Sequence, residues 1–182
     1  MMESNLGTIR PDISFVSPQY EISLFSSLKN PEWVLEGEKL GTLLGKDGGA
    51  ATYTAPDSIA KGDSSDIISF FKKDIVTAFE DGKYYNATIL ISNLPRPVSY
   101  KLELKTDNDQ KRLEFLVNIF DSGWTKVPEE HTAWYTLAGN GRMKQNGDYY
   151  SSGDQPTPTA ILAFDKRHDK IPGFAVIILD AD

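Results

Sequence analysis

The chain has 182 residues, a net charge of −7 and no cysteine. The acidic balance excludes a general nucleic-acid binder, which needs clustered Lys and Arg to neutralise phosphates. The missing thiol excludes disulfide staples, cysteine-based zinc sites and a cysteine nucleophile, so apolar packing has to hold the fold together. Apolar content of 40% beside 25% charged residues is ordinary for a globular protein. No apolar run approaches the roughly 18–20 residues that span a bilayer, so membrane insertion is not expected. Met1–Gly7 carries neither a basic n-region nor an apolar h-region. The reading is therefore a soluble chain, extracellular if it is a piece of an exported protein and otherwise cytoplasmic.

Pro11 and Pro18 punctuate the first eighteen residues, with Ile13, Phe15 and Val16 as a short edge strand between them. Tyr20, Ile22 and Leu24 alternate with Glu21 and Ser23, the period of a half-buried strand. Asn30-Pro31 turns the chain, and Trp33 enters the next strand. Gly-rich, charged sequence from Glu36 to Gly49 places hairpin turns on either side of Leu43-Leu44, and Ala50 to Ala55 is a strand stopped by Pro56. Ile67, Ile68, Phe71, Ile75 and Phe79 fall near i, i+4 spacing, so Ser64 to Phe79 also fits an amphipathic helix. The all-β reading is preferred, because the matching stretch downstream, Thr159 to Phe164, is short and Pro-flanked. Asp81-Gly82 has type I′ hairpin chemistry, and Tyr84 to Ser92 is the strand that follows it.

Pro95-Arg96-Pro97 reads as a stiff, extended linker, dividing the chain into modules 1–95 and 98–182. Val98 to Lys105 alternates cleanly, Asp107-Asn108-Asp109 turns, and Arg112 to Phe120 is the next strand. Trp124 falls in a loop and Trp134 in a strand. Tyr149 and Tyr150 follow Gly147, a Pro-containing loop leads into Thr159 to Phe164, and the last strand runs from Phe174 to Leu179.

One pattern occurs twice, over Glu32–Ser92 and Ala133–Asp180. Each copy opens on a Trp (Trp33, Trp134), passes a Gly (Gly41, Gly141) and reaches an aromatic after a Gly-led turn (Tyr53, Tyr149). Each closes on a similar pentapeptide, Ala87-Thr88-Ile89-Leu90-Ile91 and Ala175-Val176-Ile177-Ile178-Leu179. Short strands every 8–12 residues with turn residues between them are the signature of a small antiparallel β-sandwich. The fold expected is all-β, two tandem immunoglobulin-like sandwiches, with Trp33 and Trp134 in their cores. Trp33, Gly41, Tyr53-Thr54-Ala55-Pro56, Ile67 and the closing Ala87 to Ile91 resemble bacterial immunoglobulin-like domains. The second copy matches at Trp134, Gly141, Tyr149 and its closing strand, with the Ala-Pro displaced to Gln155-Pro156. The resemblance implies surface or adhesion-type modules with no catalytic residues.

The candidate sites divide three ways. Trp124, Tyr149 and Tyr150 are the aromatics able to stack on a sugar or anchor a protein partner, or else simply to cover sandwich edges. Asp107 and Asp109 are the candidate calcium ligands, although Asp and Asn also favour turns for local reasons. His131 and His168 lack a convergent partner in sequence and read as solvated loop residues. A hydrolase would need Asp121, Asp165 and Asp169 to meet in a cleft. The function expected is a non-catalytic protein- or surface-binding module without a required cofactor, the alternatives being a carbohydrate-binding sandwich and an enzyme on a β scaffold.

Overall fold

The structure, a computed structural model, describes residues 8–154, 157–167 and 172–181. His168, Asp169 and Gln155-Pro156, singled out above, lie outside the described residues. The chain divides into two compact units, one of Met1–Lys61 with Ser69–Asn93 and one of Gly62–Ile68 with Leu94–Asp182. The grouping of Gly62–Ile68 with the second unit has no counterpart in the sequence pattern.

The first unit holds β1 (Ile9–Arg10), β2 (Ile13–Val16), β3 (Glu21–Ser26), β4 (Glu32–Gly37), β5 (Thr42–Lys46), β6 (Ala50–Thr54), β7 (Lys72–Glu80) and β8 (Lys83–Ile91). They form two sheets, in the orders β1-β3-β6-β5 and β2-β8-β7-β4. Alternation decides what each sheet buries. Leu24, Ala51 and Tyr53 point inward from one, and Val76, Ala78, Ala87, Ile89 and Ile91 from the other, into one shared core. Each large aliphatic side chain taken from water there stabilises by about 1.5–3 kcal/mol. The β7–β8 hairpin turns on Asp81 and Gly82, both at positive φ, as type I′ geometry requires. The helical alternative over 64–79 reduces to a single 3₁₀ turn, Ile67–Phe70, before β7. The i, i+4 spacing there arises because β7 buries alternate positions while its outer face keeps Ile75 and Phe79.

The second unit holds β9 (Tyr100–Asp107), β10 (Gln110–Val117), β11 (Thr125–Lys126), β12 (Thr132–Ala138), β13 (Gly141–Met143), β14 (Tyr149–Ser151), β15 (Thr159–Asp165) and β16 (Phe174–Leu179). Its sheets run β11-β10-β9, β12-β15-β16 and β13-β14, and an Arg112–Asp148 bridge joins β10 to the start of β14. Phe115, Val117, Val127, Ala163 and Ala175 pack together, and Leu113, Ile161 and Leu179 form a second cluster. Each unit is thus a β-sandwich, antiparallel throughout except for the β2–β8 pair.

Two expectations need correction. Trp33 and Trp134 are half-buried: each packs against the core of its own unit, but the fully buried rings are Tyr53 and Phe115. An indole exceeds what an outer strand of so small a sandwich can cover. The strand expected over Arg112 to Phe120 stops at Val117, because Phe120 and Asp121 adopt positive φ and turn the chain out of the sheet.

The repeated glycine has a steric reason. A Cβ on Gly41 would lie 2.4 Å from the Tyr53 ring, and one on Gly141 2.2 Å from the Tyr149 hydroxyl. In each unit a tyrosine lies flat on a bare backbone, so the spacing Gly, then Tyr, is a packing motif.

Candidate binding surface

The most unusual surface of the molecule is the loop between β10 and β11. The Asn118 N–H donates to the Ser99 carbonyl at 2.8 Å, and its side-chain oxygen accepts the Gly123 N–H at 3.1 Å. The Ile119 carbonyl accepts from the Ser122 N–H at 3.2 Å and from its hydroxyl at 2.7 Å. This network holds Phe120 at φ 56° and 97% exposed. A bulky L-residue in the left-handed region costs of order 1–3 kcal/mol and persists only where its surroundings impose it. Ile119 and Val98, the latter beside Ser99, are also exposed. The loop therefore presents apolar groups on a fixed frame.

Trp124 closes the same loop and is 41% exposed. The Lys101 ammonium stands 4.3 Å from its ring centroid, a cation–π contact. Lys101 also pairs with Glu103 at 2.6 Å, and Glu103 with Lys105 at 3.0 Å. The hydrogen bonds from Lys101 and then Lys105 hold the Glu103 carboxyl below its ordinary range. The apolar loop thus adjoins a row of alternating charge along β9.

The other predicted residues lie elsewhere. Tyr149 and Tyr150 sit on β14, beside the start of β10 at Arg112, while β11 pairs with its end at Val117. At about 3.3 Å per residue that separates them from Trp124 by roughly 16 Å of strand. Tyr149 is half-buried against Gly141, and Tyr150 is exposed opposite Arg142. Trp124, Tyr149 and Tyr150 are not brought to one surface.

Asn108 and Asp109 form the two-residue β9–β10 turn, both at positive φ, with Asp107 opposite Gln110. Among the described residues no group of three or more His, Asp or Glu side chains is placed to hold a metal. Asp107 and Asp109 alone fall short of the 6–8 oxygens that calcium takes. His131 ends a 3₁₀ turn, Glu129–His131, that leads into β12. Asp121 is exposed in the Phe120 loop, whereas Asp165 is buried.

The buried carboxylates are occupied internally. Asp74 accepts the Tyr53 hydroxyl at 2.8 Å and the N–H groups of Gly41 and Leu40 at 2.8 and 2.9 Å. Burial, then the Asp74 hydrogen bond and charge, push the Tyr53 hydroxyl strongly up. Asp165 accepts Arg167 through both Nε (2.9 Å) and Nη2 (2.7 Å), the Arg167 N–H (3.1 Å) and the Tyr100 hydroxyl (3.0 Å). Burial alone would raise the Asp165 carboxyl, but these bonds outweigh it and hold it below the usual range. Burial and the Asp165 charge push Tyr100 up to about 12. No sequence signal marked either anchor, since the partners are 21 and 65 residues apart. These groups are structural fastenings inside each unit.

No known family model matches the sequence, and no curated protein does. Solved structures similar to the chain include bovine butyrophilin, at 10% identity over 96% of this chain and 98% of that one, with a TM-score of 0.33. Protocadherin gamma B7 extracellular cadherin domains 1–4 align at 11% identity and a TM-score of 0.34; the chain is covered to 96% and spans 50% of that one. Domains 5–6 of the S-layer protein SbsC align at 9% identity over 94% of this chain and 95% of that one, with a TM-score of 0.33.

Proposed function

We propose that the chain is a non-catalytic interaction tandem of the bacterial immunoglobulin-like kind, and that it binds a protein partner through the β10–β11 loop of its second unit. The observation that carries this reading is Phe120, an aromatic held by a hydrogen-bonded frame in a costly conformation and exposed almost completely. Burying it on a partner recovers apolar area with little ordering cost, because the loop is already organised. Ile119, Val98 and Trp124 extend the apolar contact, and the Lys101–Glu103–Lys105 row supplies a polar rim. A sugar-stacking role for Trp124 has less support, since Lys101 already stands over its ring.

The test compares the full chain with Phe120→Ser in two binding formats. On an array of candidate extracellular and surface proteins, the wild type binds and Phe120→Ser loses at least about tenfold in affinity. The unfolding midpoint stays level or rises, because the variant removes an exposed ring. Binding confined to a glycan array and abolished by Trp124→Ala would replace this reading with the carbohydrate-binding one.

A further inference from the structure

We infer that Asn86 is the acceptor of an N-linked glycan, carried on the outer face of the first unit and supported there by Tyr84. This goes beyond the protein-binding reading and does not depend on it. The sequence contains a single Asn-X-Ser/Thr triplet in which X is not Pro, Asn86-Ala87-Thr88, and that is the acceptor pattern for N-glycosylation. A three-residue pattern also recurs by chance, so the placement of its side chains decides.

Strand β8 runs through the triplet, and its alternation sorts the residues by face. Tyr85, Ala87 and Ile89 pack into the core of the unit, with Ala87 only 1% exposed. Tyr84, Asn86 and Thr88 therefore share the outer face, where Tyr84 is 66% exposed and Asn86 is exposed as well. The Thr77 hydroxyl on β7 donates to Asn86 Oδ1 at 2.7 Å, with Glu36 Oε2 at 3.0 Å as its second acceptor. That contact anchors the amide oxygen and turns Nδ2 away from β7. Among the described residues Nδ2 has no hydrogen-bond partner. A substituent on Nδ2 thus leaves the Thr77 bond intact and displaces no other contact.

The same face supplies a support. Residues two apart on a strand stand about 6.5 Å from one another on one side of the sheet. A sugar joined to Asn86 therefore has the Tyr84 ring on one side and the Thr88 hydroxyl on the other. Phe79 stands opposite Tyr84 across the β7–β8 hairpin and is 44% exposed, which widens the apolar area. The C–H face of a sugar ring laid on these aromatics takes exposed apolar surface out of water. The second unit lacks the whole arrangement. Aligning the closing pentapeptides puts Phe174, which is buried, and Val176 where the first unit has Asn86 and Thr88.

The transfer is a substitution at carbon. Asn86 Nδ2 forms a bond to C1 of the first sugar of a polyprenyl-diphosphate-linked oligosaccharide. The C1–O bond to the diphosphate breaks, and the lipid diphosphate leaves with its electron pair. One amide proton goes to a base of the transferase, and nothing is oxidised or reduced. In the folded unit Ala87 is buried between the two residues that the transferase has to grip, so transfer belongs to the unfolded chain during export. The finished fold has only to tolerate the glycan, and an exposed Asn86 does.

The test is secretion of the full chain, behind a cleavable leader, from a eukaryotic host that makes lipid-linked oligosaccharides. The intact mass should carry one glycan, and peptide N-glycosidase should remove it and leave Asp at position 86. Asn86→Gln should abolish the addition with an unchanged circular dichroism spectrum. Should that variant fail to fold, Thr88→Ala removes the hydroxyl that the transferase reads, keeps the backbone N–H that donates to the Asp12 carbonyl, and should abolish the addition too. Enzymatic removal of the glycan should lower the thermal midpoint of the wild type and leave that of Tyr84→Ser nearly level. A secreted wild type of unmodified mass, or a glycan that survives Asn86→Gln, would overturn the acceptor assignment. Equal midpoint losses in the wild type and Tyr84→Ser would overturn the role of Tyr84.

Discussion

The two units solve one local problem with different chemistry. In both, a tyrosine lies on a glycine, and the glycine N–H points into the interior and needs an acceptor. In the first unit that acceptor is a carboxylate, Asp74, which also takes the Leu40 N–H and the Tyr53 hydroxyl at zero exposure. In the second it is a neutral hydroxyl, Thr159 Oγ1, 2.9 Å from the Gly141 N–H, and the buried carboxylate appears instead as Asp165 beneath Tyr100 and Arg167. The same steric motif is therefore compatible with either acceptor. What differs is how much depends on it: removing the carboxylate orphans three donors, one of them fully buried, whereas removing the hydroxyl orphans one.

The largest expected effect breaks the comparison at that acceptor. Asp74→Ala leaves the buried Tyr53 hydroxyl and two part-buried N–H groups without their acceptor, so it should destabilise the first unit by about 3–5 kcal/mol. Thr159→Val should cost the second only about 1–2 kcal/mol. Urea unfolding of both variants measures the difference, and equal costs would mean that the acceptor's charge is immaterial.

Next comes the glycine itself. A Cβ at Gly41 meets both the Tyr53 ring and the Thr54 carbonyl, at 2.4 and 2.5 Å, and the ring is wholly buried. Gly41→Ala should cost about 2–3 kcal/mol, near the upper end for overpacking. Gly141→Ala meets only the far end of a half-buried tyrosine and no backbone atom, and should cost about 1 kcal/mol. Thermal midpoints of the two variants should separate in that order.

The smallest effect is the pH dependence contributed by the second unit. Asp165 is depressed when folded, so its contribution is complete above its unfolded value of 3.8 and fades as pH falls below that. Tyr100 is raised when folded, so its contribution is complete below pH 10 and is lost as pH rises from 10 towards about 12. Unfolding midpoints across both limbs, followed in the wild type and in Tyr100→Phe, should show the alkaline loss in the former and a weaker one in the latter.

Much of the fold was legible before the structure. Alternation over Tyr20 to Leu24 and Val98 to Lys105 marks real strands, and Asp81-Gly82 carries its turn geometry in its own side-chain chemistry. Trp33 and Trp134 fall on strands as read, and each packs within its own unit. The binding surface was only partly legible. Trp124 is visible as a loop aromatic, but Phe120 reads as one more apolar residue at the end of a strand. Its outward position depends on Asn118 reaching Ser99 and Gly123, contacts that no periodicity reports. The Asp-Ser-Gly that follows Phe120 was the one local hint that the strand stops early.

By itself the sequence determined the all-β class, the turn positions and the twice-used Trp, Gly and Tyr pattern, because these rest on near-neighbour sterics and on a period of two. Only the tertiary structure decided that Asp74 and Asp165 are fastened inside and that Phe120 is presented outward. Those outcomes depend on groups tens of residues apart meeting across a core, where hydrogen-bond geometry and burial, rather than local propensity, set the energy.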